Sequence, residues 1–120
     1  MRVLCADDEE DIRTILALAL SLDPAIQAEF VDSGEAVLAR AHEGWDAFVL
    51  DGMMPKVDGY EACRRLKADP ATTAIPVVFL TAKTSREEVA QALALGAVGS
   101  LAKPFDPMTL AGELRRVLGR

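Results

Sequence analysis

The stretch AFVLDGMMPKVDG, residues 47–59, runs a short apolar segment into one aspartate and then into a loop built from Gly, Pro and Asp. An apolar run this short, closed by turn-forming residues, fits a strand buried on both faces better than a helix. Asp51 then terminates a central strand, and Pro55 and Gly59 fix the backbone of the loop beside it. A buried parallel strand needs neighbours of the same kind, joined to it by helices.

The rest of the chain supplies them. Val3 to Ala6, the weaker Ala28 to Val31, Val77 to Leu80 and Ser100 to Ala102 are further short apolar runs, with helical patterns between them. In the first helix Ile12, Ile15, Leu16 and Ala19 recur at helical spacing, and Asp23-Pro24 ends it. The second helix opens near Asp32-Ser33-Gly34 and stops by Gly44. The third carries Tyr60, Cys63 and Leu66 on one face, with Arg64, Arg65 and Lys67 on its exposed side. The fourth starts from a capping box of Ser85 and Glu88 and ends at Gly96. The fifth has Asp106 as N-cap and Pro107 at its first position, packs Leu110, Leu114 and Val117, and stops at Gly119. Strict strand-helix alternation with strands this apolar predicts an α/β fold, a five-stranded parallel sheet with helices on both faces.

Composition narrows the function. The 120 residues suit one domain, residues 1–120, able to fold without disulfides or structural metal. With 13 basic against 19 acidic residues, a net charge of -6, the chain is a poor match for nucleic-acid phosphates, so no direct nucleic-acid partner is expected. Cys5 and Cys63 form no metal-like or C-x-x-C spacing and read as reduced thiols. With neither a leader pattern nor an apolar run of bilayer length, no membrane partner and a cytoplasmic location are expected.

In open parallel sheets ligands gather beyond the carboxyl ends of the strands. Those ends carry Asp7-Asp8, Asp51, Thr81 and Lys103, so three carboxylates, a hydroxyl and an ammonium are predicted on one rim. Taken singly, such an Asp is a helix cap or turn former, such a Thr a turn residue, and a Lys before Pro a solvated side chain. Their joint placement argues for a site. Two carboxylates about 4 Å apart repel by roughly 4 kcal/mol at an effective dielectric near 20, so a cation must join them. Lys103 supplies one charge. A hard divalent ion with oxygen ligands supplies the rest, and Mg2+ suits one or two carboxylates plus water and phosphate oxygens. An aspartate beside such an ion can act as a nucleophile and become an aspartyl phosphate; Asp51 is the candidate, with Asp7 and Asp8 as metal-site acids. Glu9, Glu10 and Asp11 read as acids favouring a helix N-terminus. His42 reads as a solvated surface residue, Trp45 as an anchor at the core's edge, and Met53 and Met54 as loop filler.

The segments ADDEE, LDGMMPKVDGYE, PVVFLTA and GAVGSLAKPF together resemble the receiver domain of response regulators, the phosphoacceptor of bacterial two-component signalling. The resemblance covers essentially the whole chain. It implies a flavodoxin-like sheet of order 2-1-3-4-5, and a phosphoryl group transferred to Asp51 from a histidine kinase or histidine phosphotransfer protein. It further implies Mg2+ held by Asp7, Asp8, Asp51 and the backbone carbonyl of Met53, Thr81-Ala82 as the phosphate-sensing segment, and Lys103 paired with the phosphate. A cis peptide before Pro104 is implied too. The implied output is a switch of the face from the fourth helix through the fifth, read by a downstream protein. Ser100 departs from the pattern, because most receivers place an aromatic switch residue there. The protein is thus expected to be a phosphoacceptor and not an enzyme in its own right.

Other readings fit less well. A flavin phosphate would need a Ser/Thr/Gly loop where this chain has ADDEED, and no dinucleotide or P-loop motif occurs. A phosphatase of the haloacid-dehalogenase type resembles D-x-D at its nucleophile, whereas Asp51-Gly52-Met53 lacks the second acid. A binding scaffold that is never phosphorylated would usually have lost the Asp, Thr or Lys, and all are present. The chain runs to Gly119-Arg120, which suits either a stand-alone regulator docking to proteins or a piece of a longer one.

Overall fold

A computed structural model describes residues 1–82 and 86–120; Ser85, and with it the capping box expected at the fourth helix, lies outside the described residues. The elements alternate as β1 (Arg2–Ala6), α1 (Glu10–Ser21), β2 (Gln27–Val31), α2 (Gly34–Ala39), β3 (Ala47–Asp51), α3 (Gly59–Ala68), β4 (Val77–Ala82), α4 (Arg86–Ala94), β5 (Gly99–Lys103) and α5 (Leu110–Leu118). All five strands are parallel, in the order β2-β1-β3-β4-β5. The strand order reverses between β1 and β3, the point in an open sheet where a cleft forms at the carboxyl ends.

Alternation along each strand sends successive side chains to opposite faces. On one face Leu4, Phe48, Leu50 and Phe79 pack beneath Val37 of α2, Cys63 and Leu66 of α3 and Ala92 of α4. On the other, Val3, Cys5, Val49, Val78, Leu80 and Leu101 meet Leu16 and Leu20 of α1 and Leu110 and Leu114 of α5. The central β3 is buried throughout, whereas edge strand β2 is half-exposed and turns Glu29 to solvent. The expectation that every strand lacks a solvent-facing side thus fails at this edge. Glu29 bonds Arg40 and Arg2 there, and both guanidiniums stack on Trp45, at 5.3 and 4.3 Å from its ring centroid. Trp45 itself is buried and donates its indole N–H to the Arg40 carbonyl, an anchor at the edge of the core.

Several local expectations need correction. Ile15 does not join the buried stripe of α1; it is 38% exposed, and Leu20 fills the place, because the arc facing the sheet is centred on Leu16 and Leu20. Regular helix α5 begins at Leu110 and not at Pro107. Asp106 organises the turn before it, its carboxylate accepting the Met108 N–H and its carbonyl the N–H groups of Thr109 and Leu110. Lys67 is half-buried, its ammonium donating to the carbonyls of Thr73 and Ile75, so the basic surface of α3 is left to Arg64 and Arg65, both paired with Glu61. His42 is exposed but bonded to Asp69. The helix stops at Gly96 and Gly119 hold, and both glycines adopt positive φ.

Candidate functional site at the carboxyl ends of the strands

Asp7 follows β1 directly and is fully buried. Each of its polar atoms is engaged: the amide donates to the Val31 carbonyl, Oδ1 accepts the Glu9 N–H at 2.9 Å, Oδ2 accepts the Lys103 ammonium at 2.8 Å, and the carbonyl accepts from the Arg13 guanidinium. Burial of a carboxylate is costly unless it is paired, and this one is paired on every side. Asp8, the next residue, is exposed.

Asp51 ends β3 and is buried to 6% exposure. Its Oδ1 accepts the Met53 N–H at 3.2 Å and lies 3.5 Å from the Lys103 Nζ. Gly59 packs on the Asp51 carbonyl so closely that a Cβ there would sit 2.1 Å from that oxygen, which explains the glycine after Asp58. The loop between them is held by Glu35, which accepts the Val57 N–H, and by Asp58, which caps α3 through the Glu61 N–H. Met53 is exposed and Met54 buried, so only the second is filler.

One oxygen from each of Asp7, Asp8 and Asp51 lies within 4.8 Å of the others. Lys103, at the end of β5, closes this cluster from across the sheet, and its peptide bond to Pro104 is cis. Burial pushes the Asp51 carboxyl above its ordinary pKa; Lys103 offsets part of that shift and the charge of Asp7 adds to it. Burial would lower the Lys103 ammonium, but its hydrogen bond to Asp7 and the charges of Asp51 and Asp7 outweigh burial, and its pKa is raised. Thr81, buried near the end of β4, stands opposite Ala102, and Ala82 stands opposite Lys103. Ser100 lies lower on β5, half-buried and in register with Phe79.

These groups open on a cleft of about 430 Å³ lined by Glu9, Ile12, Asp51, Gly52, Met53, Leu80, Glu88, Lys103 and Pro104. Strand-end reasoning reaches Asp51 and Lys103 of this wall, and the resemblance adds Met53 and Pro104. Ile12 and Glu88 escape it because they project from helices, and Glu9 because its only legible role was at a helix N-terminus. Chemically, the cleft offers a buried carboxylate and an ammonium beside a cluster of hard oxygen donors, while Thr81 is not among its lining residues.

A five-stranded parallel sheet of order 2-1-3-4-5 with such a cleft at its carboxyl ends defines a flavodoxin-like α/β protein of the receiver type. Residues 3–115 match the response regulator receiver domain, and the chain belongs to that family. It is 38% identical over 120 residues to the phosphate regulon transcriptional regulatory protein PhoB of Pseudomonas aeruginosa, an alignment covering 98% of this chain and 52% of that protein. The chain thus spans about half the length of the curated relatives it matches. Chemotaxis response regulator CheY4 of Vibrio cholerae superposes with a TM-score of 0.87 at 33% identity, over 97% of each chain. The receiver domain of a Pseudomonas aeruginosa sensor histidine kinase, solved with a magnesium ion coordinated in its active site cleft, superposes with a TM-score of 0.85 at 27% identity, over 99% of this chain and 98% of that one. A transcriptional regulator among the relatives leaves a nucleic-acid partner open for the whole protein. Among the described residues no helix is long and apolar enough to cross a membrane.

Proposed function

We propose that residues 1–120 act as one receiver unit in which Asp51 accepts a phosphoryl group from a phosphohistidine on a sensor histidine kinase or histidine phosphotransfer protein. The observation that carries this reading is the convergence of three carboxylate oxygens within 4.8 Å beside an ammonium 3.5 Å from Asp51. The donor set is all hard oxygen, which fits Mg2+. Asp7, Asp8, Asp51 and the carbonyl of Met53 would hold the ion, which when bound neutralises charge on the phosphoryl oxygens and the carboxylates. A relative by fold carries magnesium in its cleft.

An Asp51 carboxylate oxygen forms the new O–P bond as the P–N bond of phosphohistidine breaks, and the imidazole leaves with the electron pair. Lys103 balances the negative charge that arrives, Thr81 donates its hydroxyl to a phosphoryl oxygen, and the Ala82 backbone and Pro104 shape the segments presenting them. On this reading the chain acts as an acceptor and not as a turnover catalyst. The phosphorylated state is read by a downstream protein on the face of α4, β5 and α5. Ser100, which lacks a ring, leaves that change to backbone and loop movement. Where the chain works, the kinase-facing reading implies the cytoplasm.

Intact mass after incubation with Mg2+ and a small acyl phosphate tests the proposal. Gain of one phosphoryl group, abolished in Asp51→Asn, is expected. No gain moves the reading to a binding scaffold, and steady phosphate release from many phosphomonoesters moves it to a phosphatase.

A further inference from the structure

Arg13 of α1 is half-buried, and its guanidinium donates to the Asp7 carbonyl at 2.9 Å. Glu9 and Glu10 precede it by four and three residues, the spacings at which helical ion pairs form. Among the described residues Arg13 nevertheless forms an ion pair with neither, and it turns to a main-chain oxygen instead. By contrast, Arg40, Arg64 and Arg115 each engage a carboxylate. Withdrawing a guanidinium from water has a cost, which a charge-assisted bond to a carbonyl offsets. Packing around Arg13 is loose, since the side chain also lines a second cavity of about 350 Å³ with Phe30, Val31, Asp32 and Ala36.

The oxygen it holds bears on the site. The carbonyl of Asp7 and the amide of Asp8 belong to one planar peptide unit, so fixing that oxygen fixes the direction in which Asp8 leaves the strand end. The unit before it is pinned by the Asp7 N–H, which donates to the Val31 carbonyl at 3.2 Å. The Asp7 carboxylate has holders of its own, the Glu9 N–H and Lys103. Asp8 is exposed, and among the described residues its carboxylate makes no hydrogen bond or ion pair. Yet one of its oxygens lies within 4.8 Å of oxygens of Asp7 and Asp51. The backbone alone aims Asp8, and Arg13 is the side chain that ties this backbone to α1.

Resting on the acceptor reading above, we propose that Arg13 is a positioning residue which, by bonding the Asp7 carbonyl, aims Asp8 at the hard-ion site shared with Asp7 and Asp51. Charge gives the proposal a distinctive sign. A guanidinium near a divalent ion repels it, so deleting Arg13 for its charge alone would tighten binding. Deleting it as a holder loosens binding, because an unaimed Asp8 must be ordered when the ion arrives.

Binding of Mn2+, a hard ion suited to the same oxygen donors, tests this without any phosphoryl donor when it is followed by the EPR signal of the unbound ion. Arg13→Met keeps the stem, removes the donor, and should weaken binding about ten-fold. Arg13→Lys restores a charged donor and should recover most of that loss. In an Asp8→Asn background, Arg13→Met should change the affinity by less than about two-fold, since no carboxylate is left to aim. A role confined to the fold would lower the melting temperature in EDTA and cost as much affinity in that background as in the wild type. Unchanged or tighter binding by Arg13→Met, an equal loss in both backgrounds, or Arg13→Lys as weak as Arg13→Met overturns this inference alone. A wild-type chain that binds no Mn2+ overturns the metal site and this inference with it. Intact mass after acyl phosphate treatment separates the two readings: a wild-type chain that takes up no phosphoryl group overturns the acceptor reading, whatever Arg13 does to Mn2+.

Discussion

Replacing Asp51 with Asn should make the unmodified protein more stable, although it removes the proposed acceptor. The ionised Asp51 carboxylate faces two other carboxylates within 4.8 Å and one ammonium at 3.5 Å. At an effective dielectric near 20, each repulsion costs about 3.5 kcal/mol and the attraction returns about 5 kcal/mol, leaving roughly 2 kcal/mol against the charged form. Solvent screens the share of exposed Asp8, while burial of Asp51 adds a cost of its own. Asn keeps the size and the acceptor for the Met53 N–H, so the expected gain is about 1–2 kcal/mol, on the order of 3–6 °C for a chain this long. The pH dependence has a definite sign. An acid whose pKa is raised on folding is held protonated more tightly by the native state, so its cost is absent below the unfolded value, near pH 4, and complete above the folded one. Urea unfolding with EDTA at low ionic strength should show the gain at pH 7 and its loss as the pH falls through that window. Millimolar Mg2+ should narrow the gap by stabilising the wild type. An Asn variant equal to or weaker than wild type at pH 7, or a gain undiminished in acid, refutes the charge accounting.

Lys103→Ala should slow phosphoryl uptake from an acyl phosphate by about 100-fold, the loss of one preorganised charge partner, measured as the initial rate of mass gain. It should also destabilise the fold in EDTA, because Asp7 stays buried without its cation. Gly59→Ala should cost about 1–3 kcal/mol in the same urea assay, because a methyl group 2.1 Å from the Asp51 carbonyl forces the loop to move. Its phosphoryl uptake should fall as well, since that carbonyl belongs to the residue carrying the acceptor.

The α/β class and the rim were legible because both follow from periodicity. Short apolar runs around Val3, Phe48 and Val78 have one low-energy arrangement once helices separate them, and strand ends then share an edge. The strand order came from the resemblance and could not be reached from pattern alone. Less was visible where two elements meet. The buried arc of α1 passes through Leu20 and not Ile15 because the sheet it covers decides the angle, and a helical repeat fixes only the spacing. Asp106 is not the N-cap expected of it, because it organises a turn that postpones the regular helix to Leu110, with Thr109 at the cap. Glu88 gave no signal toward the cleft, since at S-x-x-E spacing it reads as a capping-box acid.

The hydrogen bond between Asp7 and Lys103 spans 96 positions. During synthesis the acidic cluster has all its carboxylates by residue 51, while the ammonium that balances it arrives only with β5. Because β5 lies at the sheet edge beside β4, it can dock last onto strands already assembled. A ribosome-bound or truncated chain would then carry Asp51 without its counter-charge, and on the proposed reading it would be deaf to a phosphoryl donor until β5 is in place. On the proposed reading, closure of the sheet by β5 and competence to receive a phosphoryl group become one event.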